Sequence, residues 1–272
     1  MTASSRAAGP GLTPAQVGAS AYAGPVLAAR GVQVTFASAS SQLEALAEAS
    51  LEIMPNEFVG LIGPSGCGKS TLLRVLGGLI KPTAGEVLFE GQPLGAPQRK
   101  IGFVFQKPSL MPWRSALRNV TLPLEIAGVP LGEARARARE MLTLVGLAEF
   151  YDARPHELSG GMQQRVALAR ELVYDPDVLL LDEPFGALDA LTREKMNAEL
   201  LRIWQARLKT CVMVTHDIQE AVFLCDRIIP MTPRPGRLKE QIVVDLPRPR
   251  SLDLLSSPRF SALTAALRRS LG

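Results

Sequence analysis

Cysteine, histidine and aromatic residues are scarce in this sequence. It has 3 cysteines and 2 histidines among 272 residues, and aromatic residues make up 5% of the chain. Because the cysteines are few, odd in number and without CxxC spacing, we expect neither a disulfide framework nor a zinc site, which fits a reducing compartment. No basic and aromatic platform is present, so we do not expect a nucleic-acid partner.

Long apolar runs and internal repeats are also missing. No apolar stretch approaches the roughly 18–20 residues that are needed to cross a bilayer. Residues 1–25 are rich in Ser, Ala, Gly and Pro and contain no apolar segment typical of a secretory signal, so we predict a flexible leader. A hydrophobic fraction of 47% and a charged fraction of 21% predict a globular cytoplasmic protein.

The positive charge is concentrated near the C-terminus. The formal net charge is +4, and residues 231–272 contain eight Arg or Lys and three Asp or Glu, a net +5 that leaves the rest at −1. Two interpretations of this basic segment stand at this point. It contacts an anionic membrane surface, or it is a solvated tail.

Strand and helix patterns alternate along most of the chain. Residues 26–91 are rich in strand patterns, and residues 107–158 have helical periodicity interrupted by prolines. Predicted strands lie at 58–62, 86–89, 101–105, 178–181 and 212–214, and predicted helices at 71–79, 160–173, 187–208 and 218–224. The alternation predicts an α/β protein with a mainly parallel sheet and a helical insertion.

One segment matches the phosphate-loop pattern G-x-x-x-x-G-K-[ST] in full. It reads Gly63-Pro64-Ser65-Gly66-Cys67-Gly68-Lys69-Ser70, after an apolar strand and before a helix. Glycines let successive backbone N–H groups point at phosphate oxygens, and the following helix adds the positive end of its dipole. Lys69 supplies a charge to the β- and γ-phosphates, Ser70 a hydroxyl to Mg²⁺, and Thr71 a donor to the α-phosphate. Cys67 is interpreted as a small filler residue. The segment predicts binding of ATP and Mg²⁺.

A second apolar strand ends in two carboxylates, Asp182 and Glu183. If this strand lies parallel and next to the phosphate loop, both carboxylates reach the same pocket. Asp182 is then expected to hold Mg²⁺, and Glu183 to orient or deprotonate the attacking water. The sequence therefore predicts hydrolysis as well as binding of ATP.

A second anion-binding helix terminus precedes that strand. The segment Leu158-Ser159-Gly160-Gly161-Met162-Gln163-Gln164-Arg165 offers Ser159 as an N-cap and two glycines with exposed N–H groups. Two phosphate-binding surfaces on one chain suggest a nucleotide sandwich made by two chains. With this segment, residues from about 30 to 240 resemble the nucleotide-binding subunits of ABC transporters.

The resemblance implies a fold and a set of site residues. The implied fold is a P-loop NTPase (RecA-like) core with an N-terminal antiparallel β-subdomain and a helical insertion subdomain. It implies an ABC ATPase domain at 26–240, with the helical subdomain at about 107–165, and a basic extension at 241–272. Asn56 stands where many relatives have glycine, and we expect it to tolerate a positive φ there. The implied catalytic residues are Glu183, His216 and Gln106, and the implied metal ligands are Ser70, Gln106 and Asp182. The implied nucleotide-binding residues are Gly63, Pro64, Ser65, Gly66, Cys67, Gly68, Lys69, Ser70, Thr71, Phe36, Ser159, Gly160, Gly161 and Asp189.

Two of these residues fill named positions of the family. His216 is similar to the switch histidine that contacts the γ-phosphate, and Asp189, in Ala187-Leu188-Asp189, to the D-loop aspartate at the dimer seam. Phe36 stands where the family has an aromatic that stacks on adenine. An ordinary core aromatic is the alternative for Phe36.

Two further segments resemble the nitrate, sulfonate and taurine importer group. They are Leu110-Met111-Pro112-Trp113, and Arg234-Pro235-Gly236-Arg237 followed by Leu246-Pro247-Arg248-Pro249-Arg250. The resemblance implies a head-to-tail homodimer on the inner face of the membrane, bound to integral permease subunits and served by a solute-binding protein. Trp113 either lines the permease groove or packs in the helical insertion.

Two other functions remain open from the sequence. One is an ABC ATPase that acts in assembly or repair, and the other is an adaptor that binds ATP without turnover. Copurification with a membrane partner and a phosphate-release assay distinguish them. Phe260, Leu263, Ala266 and Leu267 predict a short amphipathic helix that packs on the body or on a partner.

Overall fold

Two β-sheets and seven α-helices make up the described part of the chain. A computed structural model describes residues 23–37, 42–186 and 188–272, so nearly all of the predicted leader lies outside the described residues. The strands are β1 (Leu27–Ala37), β2 (Gln42–Ile53), β3 (Phe58–Ile62), β4 (Ala84–Phe89), β5 (Gln92–Pro93), β6 (Ile101–Val104), β7 (Val178–Asp182), β8 (Thr210–Thr215), β9 (Arg227–Pro230) and β10 (Ile242–Val243). The helices are α1 (Lys69–Leu76), α2 (Ala116–Ile126), α3 (Leu131–Leu144), α4 (Gly160–Leu172), α5 (Ala190–Arg207), α6 (Ile218–Leu224) and α7 (Pro258–Leu271).

The N-terminal sheet is antiparallel and has the order β2-β1-β4-β5. Its long strands alternate buried and exposed residues, as a sheet with one solvated face does. Between this sheet and β3 the chain turns at Asn56, whose φ is 61°. The expectation that Asn56 takes a positive φ is confirmed.

The central sheet has the order β10-β9-β3-β8-β7-β6, and only β10 is antiparallel. Every residue of β3, β7 and β8 is buried, because helices cover both faces of a parallel sheet and such strands are apolar throughout. The carboxyl ends of β3, β7 and β8 lie at one edge, and the chain places the phosphate loop and the acidic pair there.

Two predicted helices begin at different residues in the structure. Helix α1 begins at Lys69, two residues before the predicted start, and α5 begins at Ala190, three residues after it. The delay in α5 has a local cause, because the Asp189 side chain accepts a hydrogen bond of 3.0 Å from Thr192 N and caps the helix. An N-cap residue keeps an extended backbone, so the helix cannot start earlier.

The helical insertion contains α2 and α3 and packs against α4. Asn119 in α2 is fully buried; its Oδ1 accepts from Met111 N at 2.8 Å, and its Nδ2 donates to Met111 O at 3.2 Å. These bonds fix the segment before α2. The side chain of Trp113 is 69% exposed, so the interpretation that it packs inside the helical insertion is wrong.

The C-terminal segment folds back on the body. Phe260 and Leu267 of α7 are buried in the core that α6 shares, which confirms the predicted amphipathic helix. Arg250 is 7% exposed, and its Nη1 donates to the carbonyls of Phe223 and Cys225 at 2.9 Å each. The solvated-tail interpretation is wrong for this residue, because its guanidinium caps carbonyls at the end of α6. Within the described ranges, no helix combines the length and the hydropathy of a membrane-spanning segment.

Candidate functional site

The phosphate loop joins β3 to α1 through two glycines with left-handed backbones. The φ angles are 74° at Gly66 and 98° at Gly68, a region that side chains other than glycine rarely adopt. A Cβ atom on Gly68 would lie 2.7 Å from the carbonyl oxygen of Ala45. Glycine is therefore required there by both conformation and space, and the loop curls tightly at the amino end of α1.

Lys69 and Ser70 begin α1. Lys69 is 5% exposed, and its Nζ donates to the carbonyls of Gly63 at 2.8 Å and Pro64 at 2.9 Å. Because an ammonium group has three N–H donors, one remains for another acceptor. Ser70 Oγ donates to Asp182 Oδ1 at 2.6 Å. The hydroxyl after the lysine and the carboxylate at the end of β7 thus meet, as the parallel arrangement of β3 and β7 predicts.

Asp182 is buried and lies between two α1 residues. It is 4% exposed, and its Oδ2 lies 3.6 Å from Arg74 Nη2. A buried carboxylate is stable when it is paired and hydrogen-bonded, and Asp182 has both kinds of partner. Its oxygens and the Ser70 hydroxyl are hard donors of the kind that Mg²⁺ prefers. The residues present fit a magnesium site.

Glu183 turns its carboxylate to the opening of the loop. Its φ is 45°, which costs a non-glycine residue about 1–3 kcal/mol, and its N–H donates to Val214 O at 3.0 Å. Gln106 Nε2 donates to Glu183 Oε2 at 3.3 Å. His216 Nδ1 lies 3.3 Å from the same oxygen. Three residues far apart in the sequence therefore meet at one carboxylate oxygen.

A cleft of about 380 Å³ lies at the phosphate loop and reaches Gln106 and Glu183, whereas Asp182 and His216 do not line it. Its lining residues are Phe36, Leu43, Ala45, Ser65, Gly66, Gly68, Lys69, Ser70, Thr71, Gln106, Glu183 and Arg234. Phe36 and Leu43 are cross-strand partners of β1 and β2 and give the cleft an apolar end. Phe36 is 43% exposed, so the alternative that it is a core aromatic is wrong. Cys67 is 1% exposed and packs under the loop as the filler residue that the sequence predicts.

The second anion-binding terminus lies apart from this cleft. Ser159 caps α4 by accepting a hydrogen bond of 3.3 Å from Met162 N, and both Ser159 and Gly160 are exposed. The expectation of two exposed glycines is wrong for Gly161, which is buried beside Leu188 and Thr192. Neither Ser159 nor Gly160 is among the residues that line the cleft around Lys69. The terminus of α4 is therefore open to another molecule.

Asp189 lies at the start of α5 and is exposed. Hydrogen bonds from the side chain and the amide of Thr192 lower the pKa of Asp189, so it is a carboxylate near neutral pH. Ala187, which precedes it in the predicted D-loop, lies outside the described residues. Arg193 connects this region to Asp217, the N-cap residue of α6. Its Nη2 donates to Leu188 O at 2.8 Å, and its Nη1 donates to Asp217 Oδ2 at 3.0 Å.

A large apolar groove lies next to the segment that follows Gln106. Its volume is about 730 Å³. Its lining residues include Pro97, Ser109, Met111, Leu122, Pro123, Ile126 and Val129. Ile126 is 74% exposed, and with Met111, Leu122 and Val129 it forms a contiguous apolar lining, the kind of surface that marks an interaction site. Trp113 does not line this groove but a separate hollow with Leu117 and Leu131.

Sequence reasoning missed two residues at the site. Arg234 lines the cleft, although the sequence indicated its segment only as a mark of an importer group. Glu220 is 5% exposed and accepts a hydrogen bond from the hydroxyl of Thr215, the residue before His216. The hydrophobic periodicity of the sequence did not indicate a role for Arg234. Glu220 could have been noticed, because a glutamate on the apolar face of a predicted helix is unusual.

Several known proteins are similar to this chain in sequence or in structure. An uncharacterized ABC transporter ATP-binding protein of Methanocaldococcus jannaschii is 51% identical over 210 residues, 77% of this chain and 79% of that protein. The taurine import ATP-binding protein TauB of Pseudomonas entomophila is 48% identical over 200 residues, 74% of this chain and 77% of TauB. A dimeric ATP-binding cassette solved in a post-hydrolysis state with ADP and Pi is 38% identical, with a TM-score of 0.72 over 81% of this chain and 99% of that chain.

The family model described as ABC transporter matches residues 46–186. That range includes the phosphate loop, the α4 terminus and the acidic pair, which the structure places around one cleft and one open helix end. The chain therefore belongs to the ATP-binding subunits of ABC transporters and is an ATP-hydrolysing enzyme of that family.

Proposed function

We propose that this chain powers a membrane importer for a small solute such as nitrate, a sulfonate or taurine. The observation that carries the catalytic part is the meeting of Gln106 and His216 at one oxygen of Glu183, beside the phosphate loop. The importer part is supported by the 48% identity to a taurine import protein. The chain would work on the inner face of the cell membrane, beside integral permease subunits.

ATP would lie along the cleft from its apolar end to Glu183. Phe36 would stack on the adenine, and the backbone N–H groups of the loop would bind the phosphates. Lys69 would neutralise the β- and γ-phosphates, and Thr71 would donate to the α-phosphate. Mg²⁺ would be held by Ser70, Asp182 and Gln106, and when bound it supplies neutralisation of the charge on the phosphate oxygens.

Hydrolysis follows from the position of Glu183. Its carboxylate would accept a proton from a water molecule that attacks the γ-phosphorus, while the bond to the β-phosphate oxygen breaks and ADP leaves. His216 and Gln106, both 3.3 Å from Glu183 Oε2, would hold this carboxylate and contact the γ-phosphate. The left-handed backbone of Glu183 is the local strain that turns the side chain toward the cleft.

Two copies would close head to tail over two nucleotides. The terminus of α4, with Ser159 and Gly160 exposed and Gly161 buried, would cover the ATP that the partner's phosphate loop holds, and Asp189 would lie at the seam. ATP would then make contacts in the closed dimer that the open form lacks. Shifting such an equilibrium from 1:99 to 99:1 takes about 5.5 kcal/mol of differential binding, which two sandwiched nucleotides would supply.

The apolar groove beside Met111 would receive a short helix of the permease. An apolar groove with exposed aliphatic residues such as Ile126 suits the apolar face of a helix. The solute itself would be selected by the permease and by a solute-binding protein. Copurification with an integral membrane partner supports this assignment, and repeated purification of the chain alone from solubilised membranes contradicts it.

Glu183→Gln tests the catalytic proposal. The variant should bind ATP, lose about 10²–10⁴-fold in hydrolysis because the general base is gone, and accumulate as a dimer with ATP in light scattering. Glu240→Gln, at an exposed position, is the matched control. Full phosphate release by Glu183→Gln would remove Glu183 from catalysis.

Lys69→Ala tests the binding site itself. It should lose most of its ATP affinity in a fluorescent-nucleotide titration, whereas Lys81→Ala, at an exposed residue after α1, should not. Unchanged affinity in Lys69→Ala would contradict the assignment of the loop. In membranes with the permease and binding protein, ATPase stimulation by nitrate, sulfonates or taurine would identify the solute, and stimulation by none of them would refute the solute class.

A further inference from the structure

The segment Arg234-Pro235-Gly236-Arg237 is built onto the phosphate loop. It follows β9, and Met231 N donates to Ile62 O at 2.7 Å, at the end of the strand that leads into the loop. Gly236 exchanges two backbone hydrogen bonds with β2, from Gly236 N to Ala45 O at 3.1 Å and from Ala47 N to Gly236 O at 3.0 Å. The segment is therefore held between the phosphate loop and the N-terminal sheet.

Gly236 packs closely against the phosphate loop and so fixes the position of the segment. A Cβ atom on Gly236 would lie 2.0 Å from the carbonyl oxygen of Cys67, so only glycine allows this approach. Arg234 Nε donates to Gly66 O at 3.1 Å. This hydrogen bond fixes the Nε end of the guanidinium at Gly66, in the loop that is expected to surround the phosphates.

The rest of the guanidinium faces the cleft. Arg234 lines the same cleft as Phe36, Lys69 and Glu183. Within the described part of the chain, no carboxylate lies within ion-pair distance of Arg234, and its Nη atoms have no protein acceptor. A guanidinium has five N–H donors in a planar fork, and one of them is used by Gly66. Its remaining donors suit the oxygens of a phosphate group, which such a fork binds with two parallel hydrogen bonds.

We propose that Arg234 is a second cationic ligand of the nucleotide phosphates, positioned by the Gly66 carbonyl and by the close packing of Gly236 on Cys67. This inference rests on the proposed binding of ATP in the cleft. Lys69 and Arg234 are the two cations among the cleft-lining residues, and they bind different carbonyls of the loop, Lys69 Nζ those of Gly63 and Pro64 and Arg234 Nε that of Gly66. The nucleotide would be held between them.

The test compares Arg234→Ala with Arg237→Ala. The control residue is in the same segment, is exposed, does not line the cleft and carries the same charge. In equilibrium titrations, Arg234→Ala should weaken ATP binding by about tenfold, the size of one charge-assisted contact at a partly exposed site. The affinity for adenosine should stay within about twofold, because the contact is to phosphate. Arg237→Ala should stay within about twofold for both ligands.

Kinetics and a second variant separate binding from folding. Arg234→Ala should raise KM for ATP with kcat nearly unchanged, as expected when an interaction is present in both ground and transition states. Arg234→Gln keeps an N–H donor for the Gly66 carbonyl but not the charge, so it should fold like the wild type and show the same loss of ATP affinity. Arg234→Lys should recover part of it.

Three outcomes would overturn the inference. They are ATP affinity within twofold of wild type in both Arg234→Ala and Arg234→Gln, an equal loss in Arg237→Ala, and an equal loss for adenosine. Lys69→Ala distinguishes this failure from failure of the proposed function. If Lys69→Ala loses ATP while Arg234→Gln does not, the loop binds ATP and only the role of Arg234 is wrong. If neither variant loses ATP, the proposed site itself is wrong.

Discussion

A buried glutamate in α6 makes the stability of the fold depend on pH in a defined direction. Glu220 lies in the first turn of α6 and is 5% exposed. Burial, the larger cause, and the nearby charge of Asp217 raise the pKa of Glu220 to about 7, although the hydrogen bond from Thr215 opposes the shift. Its Oε1 is buried without a hydrogen-bond partner, and the residue lines a small cavity with Arg193 and Asn197.

The sign of the effect follows from proton binding. Between the ordinary glutamate pKa of 4.5 and about 7, the unfolded chain has released the Glu220 proton while the folded chain keeps it. The folded state then binds more protons, so the free energy of unfolding falls as pH rises, by about 1.4 kcal/mol per pH unit. The stabilisation is complete below pH 4.5 and lost above about 7. Over that range the loss amounts to about 3 kcal/mol.

Glu220→Gln removes this titration and nearly keeps the shape of the side chain. We expect the free energy of unfolding of the variant, minus that of the wild type, to rise by about 2.5 kcal/mol between pH 5 and pH 8. Urea unfolding followed by the fluorescence of the buried Trp204 measures it at each pH. Glu240→Gln, which removes an exposed carboxylate, controls for the change in net charge. A difference that stays constant from pH 5 to pH 8 would refute the reasoning.

Three further substitutions test other parts of the structure. Arg250→Ala should lower the free energy of unfolding by about 3–5 kcal/mol, because the buried carbonyls that Arg250 binds lose their donor; exposed Arg268→Ala should change it little in the same urea titration. Phe36→Ala should weaken ATP binding by about 1–3 kcal/mol through lost stacking on the base, and Phe36→Tyr should not, as nucleotide titration will show. Gly68→Ala should lower both thermal stability and ATP affinity, because its φ of 98° and the 2.7 Å approach to Ala45 O exclude a Cβ atom; normal values of both would contradict this geometry.

The sequence predicted most accurately the elements with a clear apolar pattern and clear end signals. Strand β3 has the predicted bounds of 58–62, because it is a short apolar run between Glu57 and Gly63. Helix α6 has the predicted bounds of 218–224, because the Asp217 side chain caps its first turn. The contact between Ser70 and Asp182 followed from two such strands lying parallel. Local pattern and global topology agree at these positions, so a single sequence is sufficient.

Other features depend on contacts that no local pattern records. Strand β9 (Arg227–Pro230) has four residues and is specified by pairing with β3, not by its own periodicity. From the sequence, Arg250 was part of a basic segment. In the structure it is buried, and its guanidinium donates to carbonyls at the end of α6. The composition of a segment gives its charge, but only the tertiary structure determines whether that charge has partners.

A short stretch of chain connects the nucleotide cleft with the apolar groove. Gln106 touches Glu183 at 3.3 Å, and Met111, five residues later in the sequence, lines the groove. Met111 exchanges two backbone hydrogen bonds with the buried side chain of Asn119 in α2. Because packed side chains shift as units and do not deform smoothly, a displacement of α2 would carry the Asn119 side chain and Met111 with it, five residues from the amide that donates to Glu183.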